Sequence, residues 1–490
     1  MNGKRVDAGR IGRADGNKEV VLPVALQTGT HTVTWRVTSA DGHPARGGFS
    51  FFVGSPSTIS AVAAPIDAGT STFVTWGYGV ARFLWIGAFV AIVGMTAMRR
   101  WVWTPAVRAA GLAAAPAAAA FRRRISRALP GAWAVLVTAG GLTLVFQAAT
   151  VSGFSLLSSA RPAVLGELLG TAFGRYWLAQ IGLAAAIGLP VSALASSRPL
   201  LGVRPRGWIA VLAVLAAGLC LATALNGHAR TLAGASFMVP SLALHLLAVA
   251  VWVGGLGALV VLGRMGWRQV GAGDRPRLLR ELVARFSRLA IVAVAVIAAT
   301  GVLTSIGAFA SLSDLWDVTY GKVVGAKVAL LAAAVVLAAS HRRRPEAAAA
   351  FERSSAAELV AVAGAVALGA ALVAIVPGTS LALAEKGPVN QERRAGDYTV
   401  QLFIDPTRVG DNEVHVTFVN ARGLAAAEVA TAEVTLGPKA APLPPLEMRL
   451  ISPGHFVGDA TLPAPGTYQL AIAAAGAITT FDFRLYARSP

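Results

Sequence analysis

The chain has 490 residues, 55% of them hydrophobic and only 14% charged, with a mean hydropathy of +0.62. That composition all but excludes a purely soluble protein. Its 43 Lys and Arg against 24 Asp and Glu leave a net charge of +19. The arginines cluster between long apolar runs, where a membrane protein carries its positive-inside bias, so nucleic acid is not the partner this charge implies. The single cysteine, Cys220, excludes an intramolecular disulfide, a CxxC redox motif and a four-cysteine zinc site. Metal chemistry must rest mainly on His, Met, Asp or Glu.

Residues 1–60 read as part of a β domain. His31–Thr38 alternates and is β-branched, Asp41-Gly42 makes a turn, and Gly48–Val53 is a second strand. A piece of this size buries too little core to stand alone. No apolar stretch of a signal peptide follows Met1-Asn-Gly-Lys-Arg5, so the chain is expected to begin inside a longer natural domain.

The region 73–377 reads as an all-α polytopic membrane domain. Windows of about 20 apolar residues, long enough to cross a hydrocarbon core, fall near 73–98, 131–153, 175–197, 207–226, 238–263, 286–309, 321–340 and 358–377, giving eight expected transmembrane helices. One alternate set of loops carries 20 arginines between Arg99 and Arg353, whereas the other carries Arg161, Arg175, Arg230 and Lys322. This asymmetry predicts that both termini face the extracytoplasmic side. Trp85-Ile-Gly87 matches Trp252-Val-Gly254, and Phe173-Gly-Arg175 with Gln180 matches Tyr320-Gly-Lys322 with Lys327, which suggests a parallel 4+4 repeat. Arg82 and Lys327 are read as snorkelling or as hydrogen-bonding between helices. Gly254, Gly255 and Gly257 are read as points of close helix approach. The alanine-rich segments 109–120 and 347–350 are expected to be short cytoplasmic surface helices.

Residues 390–488 read as an extracytoplasmic β-sandwich of immunoglobulin-like type. Strands are expected at 398–404, 413–419, 432–436, 466–472 and 479–485, with a proline-rich loop from Gly437 to Pro445.

Of the seven histidines, His245 alone falls inside an expected span. Met238, His245 and Trp252 are spaced by seven and share one helical stripe, with Ser241 four residues before the histidine. Imidazole and thioether suit copper, the thioether especially Cu(I), whereas magnesium or calcium would want carboxylates. His228, in the outer loop Asn226–Arg230, could sit above that stripe, and together these residues read as an uptake site for copper. The bland alternative is a structural histidine packed through one hydrogen bond. Cys220 is read as a buried structural thiol before it is read as a Cu(I) ligand. Haem held by two histidines would need a partner at matched depth, and His228 is too superficial. No ATP-binding loop and no Asp-Lys-Thr-Gly phosphorylation motif is present, so active pumping by ATP is not expected; nor is the chain read as an enzyme.

Ser39-Ala-Asp-Gly-His-Pro44, between Thr32–Val37 and Gly48–Val53, resembles the C-terminal half of the periplasmic CopC domain. The membrane region resembles the CopD copper-resistance family through Gly227-His-Ala229, His245-Leu-Leu247 with Trp252–Leu256, Phe286–Ala290, Thr300-Gly301, Thr319-Tyr-Gly321 with Lys327, and Arg353 with Glu358. The whole resembles a CopC–CopD fusion followed by a sandwich of YtkA or FixH type. The resemblance implies copper handling at the bacterial plasma membrane, with Cu(II) held outside and copper carried inward. It places copper ligands at Asp41 and His43; the family's amino-terminal histidine ligand has no counterpart here, and His31 is not at a ligand position. In the last domain, Met448 and His455 flank Pro453-Gly454, and His415 lies on an earlier strand, so a second outer copper site is a candidate beside ordinary surface residues.

The reading is therefore copper transport and copper tolerance, with outer His/Asp/Met sites feeding the Met238/His245 stripe. Its partners are the copper ion, the lipid bilayer, and periplasmic copper chaperones or cuproenzymes. The alternatives are a non-transporting module that binds or delivers copper, and a haem-containing membrane redox protein.

Overall fold

The computed structural model describes residues 12–14, 19–21, 24, 27, 29–38, 44–53, 71–111, 115–196, 201–230, 234–271, 273–309, 314–343, 348–372, 389–420, 426–439, 441 and 444–485. They fall into a helical unit and a β unit.

At the N-terminus, β1 (Gly12–Ala14) pairs antiparallel with β2 (Glu19–Val21), and β3 (Gly29–Thr38) pairs with β4 (Pro44–Val53). The two longer strands contain the segments expected from alternation. The turn expected at Asp41-Gly42 lies outside the described residues.

The first membrane helix, α1 (Thr72–Ala97), starts on Ser71, whose hydroxyl accepts the Val74 N–H at 3.3 Å. It continues through a π-helical turn, Met98–Trp103, into α2 (Thr104–Ala110). Next comes α3 (Ala115–Ser152), 38 residues with Pro130 inside it. The alanine run therefore does not form a separate surface helix: residues from Ala115 onward begin α3, and Ala117, Ala120 and Phe121 are buried. Alanine has the strongest helix propensity, and the helix that starts in the run continues through Pro130 into the span.

Two short helices, α4 (Leu156–Ser159) and α5 (Pro162–Gly170), link α3 to the third span, which is built from α6 (Ala172–Ala186) and α7 (Gly188–Ala195). There follow α8 (Pro205–Leu225), a short turn at His228–Arg230, and α9 (Ala235–Gly257). The chain enters α9 through Gly234 at φ +82°, a left-handed conformation that favours glycine. A second π-helical turn, Ala258–Gly263, leads to α10 (Arg264–Trp267), followed by α11 (Arg275–Ala308), α12 (Asp314–Asp317) and α13 (Thr319–Arg343). The last helix, α14 (Ala348–Leu372), starts inside the second alanine run, as α3 starts inside the first.

Among the described residues seven helices are long and apolar enough to cross a membrane, and the apolar stretch described at the eighth expected span, Ala357–Gly369, is shorter. The chain is a multi-pass membrane protein with β-sheet regions before and after its helices in sequence. α9 packs on α1, α8 and α11, and α13 pairs with α14. In α1 and α9, 56% of the most apolar window is buried, against 17% in α11 and 11% in α13. α1 and α9 are thus the interior helices, and the outward apolar faces of α11 and α13 suit lipid. α1 and α9 cross with their backbones in contact: a Cβ on Gly254 would fall on the Val90 carbonyl and a Cβ on Gly94 would fall on Gly254. Gly255 faces the Phe286 ring and Gly257 faces Leu359.

The C-terminal sandwich has a five-stranded sheet ordered β10-β11-β7-β6-β5 and a four-stranded sheet ordered β13-β12-β8-β9. Its strands are β5 (Val389–Ala395), β6 (Tyr398–Asp405), β7 (Gly410–Asn420), β8 (Glu433–Pro438), β9 (Pro445–Leu446), β10 (Arg449–Ser452), β11 (His455–Leu462), β12 (Gly466–Ala474) and β13 (Ala477–Leu485). Val400, Leu402, Val414, Val416 and Phe418 from one sheet meet Leu470, Ile472 and Phe481 from the other in a single core.

Candidate metal centre

α9 carries Met238, Ser241, His245 and Trp252 on one stripe, and all four are buried. The stripe is polar where it faces α11. His245 Nδ1 lies 3.0 Å from Thr300 Oγ1, and the Ser241 hydroxyl reaches the Thr300 carbonyl at 3.5 Å. The Thr300 hydroxyl has one proton, and the nearest acceptor for it is the Val296 carbonyl at 2.6 Å. Its oxygen is therefore an acceptor toward His245, which donates through Nδ1–H. The remaining ring nitrogen, Nε2, then carries the lone pair. A hydrogen-bond partner behind the ring fixes the tautomer of a metal-binding histidine in this way.

One turn beyond Thr300, Thr304 donates to the Thr300 carbonyl at 3.0 Å, and Ser305 donates to the Gly301 carbonyl at 2.8 Å. Gly301 leaves room for the imidazole, whose Cε1 would lie 3.7 Å from a Cβ there. Sequence reasoning gave Thr300 a place in a family motif but no role. Its position on an apolar helix does not reveal a partner 55 residues away.

Met238 lies two turns from His245, about 10.5 Å by helical rise, so the two side chains cannot grip one ion together. Met238 clusters instead with Ala224 of α8 and Ala229 of the short turn. Ala229 directly follows His228, so the backbone of His228 lies beside the Met238 end of the stripe; its side chain lies outside the described residues. Asp41 and His43 also lie outside the described residues. Among the described residues no three His, Cys, Asp or Glu side chains converge on one metal position. The arrangement is a series of separated soft donors.

The Arg82 guanidinium donates to Tyr78 Oη at 2.8 Å, one turn back toward the start of α1, and lies over that ring at 5.8 Å. Cys220 is buried in the main apolar core, as a structural thiol would be. The Lys327 amine lies beside Gly369 of α14, 3.8 Å from where a Cβ would stand. Gln180 of α6 is buried, with its Oε1 3.1 Å from Thr223 Oγ1 of α8.

Three family models match the chain: the CopC domain over residues 1–54, the copper resistance protein D-like N-terminal domain over 73–238, and copper resistance protein D over 280–376. The chain is a CopC–CopD fusion of the copper-resistance family. The fusion is similar to the copper transport protein CutJ of Bacillus subtilis, with 28% identity over 338 residues, 67% of this chain and 58% of that protein. The chain thus spans well under two thirds of that relative's length. No solved structure matches. The segment matched to the D-like N-terminal domain ends at Met238, and the copper resistance protein D match includes Thr300 and Thr304, so the Met238–His245–Thr300 series joins the two matched regions.

Proposed function

We propose that this CopC–CopD fusion carries copper across the bacterial plasma membrane and so confers copper tolerance, with both termini outside and copper passing along α9. The carrying observation is the buried His245, whose Nδ1 is tied to Thr300 and whose Nε2 is left as a donor. A neutral imidazole and a thioether are soft enough for copper and leave the hard ions of the cell aside. Met238 beside the outer turn is the first donor and His245 the second. Their separation holds the ion weakly at each step, as movement requires, since multi-site binding must be easy to leave. His228, Asp41 and His43 are the outer groups that would deliver copper to Met238, received in turn from periplasmic chaperones or passed to cuproenzymes.

Cells carrying the His228→Ala and His245→Ala variants should lose copper accumulation while membrane levels of the protein hold. Unchanged accumulation overturns the path. Copper retained by the purified chain without flux would instead mark a binding or delivery module.

A further inference from the structure

The C-terminal sandwich brings two more imidazoles together, far in sequence from the membrane helices. The β7 and β11 register pairs His415 with Val457 and Thr417 with His455, which makes the two histidines diagonal neighbours on one sheet face. Val414, Val416, Phe418 and Phe456 alternate with them and point into the sandwich core, so the pair occupies the opposite face. His415 Nδ1 and His455 Nε2 are 3.1 Å apart, with ring centroids at 5.3 Å and planes inclined by 35°. The Glu413 carboxylate lies 3.2 Å from the other nitrogen of His415, and Phe403 of β6 packs edge-on to that ring at 5.7 Å.

We propose that His415 and His455 form a Cu(II)-binding site on this sheet, with Glu413 as the positioning residue. Glu413 accepts the Nε2–H of His415 and so leaves the Nδ1 lone pair directed at His455. Without metal, His455 donates its Nε2–H to that lone pair. With metal, its proton moves to Nδ1 through solvent and both facing nitrogens become donors. Two nitrogens 3.1 Å apart can each stand about 2.0 Å from one ion with an angle near 100° between them. That cis geometry fits tetragonal Cu(II), whereas a linear two-coordinate Cu(I) would hold its nitrogens about 4 Å apart at the same bond length.

Met448 does not join the site. Its Sδ fills the space a Cβ of Gly458 would need, on the core side of β11, while His455 faces the other way. Among the described residues no third His, Cys, Asp or Glu side chain converges with the pair on one metal position. The site is built from residues of the sandwich alone.

The test is Cu(II) titration of the full purified chain, read by electron paramagnetic resonance. Replacing the pair by His415→Gln and His455→Gln keeps polar side chains on a solvent-side sheet face. Bound Cu(II) should then fall by one ion per chain. Glu413→Gln should weaken that ion's binding about 10- to 100-fold, and Met448→Leu should not change it. Undiminished Cu(II) in the double variant overturns the site. A readout needing no substitution is the imidazole resonances of His415 and His455 in the wild-type chain, which should be lost to paramagnetic broadening at saturating Cu(II). Their survival overturns the site as well.

Discussion

His245 on α9 and Thr300 on α11 are joined ring to hydroxyl at 3.0 Å, 55 residues apart in sequence. Because the threonine proton is committed to the Val296 carbonyl, this one contact fixes which imidazole nitrogen can meet an ion. Thr300→Val keeps the volume and shape and removes the acceptor. The variant should fold, lose about 1 kcal/mol of stability, and carry copper about 10- to 100-fold more slowly. Copper flux through reconstituted variant protein measures this; wild-type rates would show that the tautomer does not matter.

Met238 offers a direct check on the soft donor. Met238→Leu conserves volume, so its stability cost should stay below about 1.5 kcal/mol. Its copper uptake should nevertheless fall, because the cluster of Ala224, Ala229 and Val239 around it contains no other sulfur. Equal uptake by the two proteins would reduce Met238 to a packing residue.

The crossing of α1 and α9 allows no side chain at its centre. Gly254→Ala places a methyl on the Val90 carbonyl, and backbone cannot yield as a flexible side-chain end can. A destabilisation of about 1–3 kcal/mol or more is expected, seen as a lower unfolding temperature in detergent. Gly257→Ala, which meets only Leu359 at 3.8 Å, should behave as wild type.

In the sandwich, Asp482 is held below the usual carboxylate range by hydrogen bonds from Lys439 at 2.6 Å and Gln469 at 2.9 Å. A depressed carboxylate stabilises the fold above its unfolded value and gives that contribution up as pH falls through the folded one. Lys439→Met should therefore raise the Asp482 titration midpoint and shift the acid loss of sandwich stability to higher pH. Carboxyl NMR of the wild-type and variant chains follows both. The effect on stability at neutral pH is small, since the pair is solvent-exposed and screened.

The membrane helices were legible because continuous apolar windows of span length are seldom found outside a bilayer. Strands β6, β7, β12 and β13 were legible because their alternation is regular. Strand β5 was not: Val-Asn-Gln-Glu-Arg-Arg-Ala reads as a polar linker, and it becomes a strand because charged residues protect a sheet edge. β10 and β11 were hidden by the turn at Pro453-Gly454 and by Gly458, whose missing side chain makes room for Met448. Helical spacing revealed the stripe through Met238, Ser241, His245 and Trp252, but no periodicity links His245 to Thr300, or His415 to His455. Those pairs are made by tertiary packing and strand register.

If copper crosses the membrane beside the imidazole of His245, removing that ring must stop it. Copper entry into proteoliposomes containing the wild-type chain or His245→Ala, at matched protein density, decides the matter. Saturable entry is expected with the wild type, and entry at the protein-free rate with the variant. Equal, protein-dependent entry in both would contradict a path along α9.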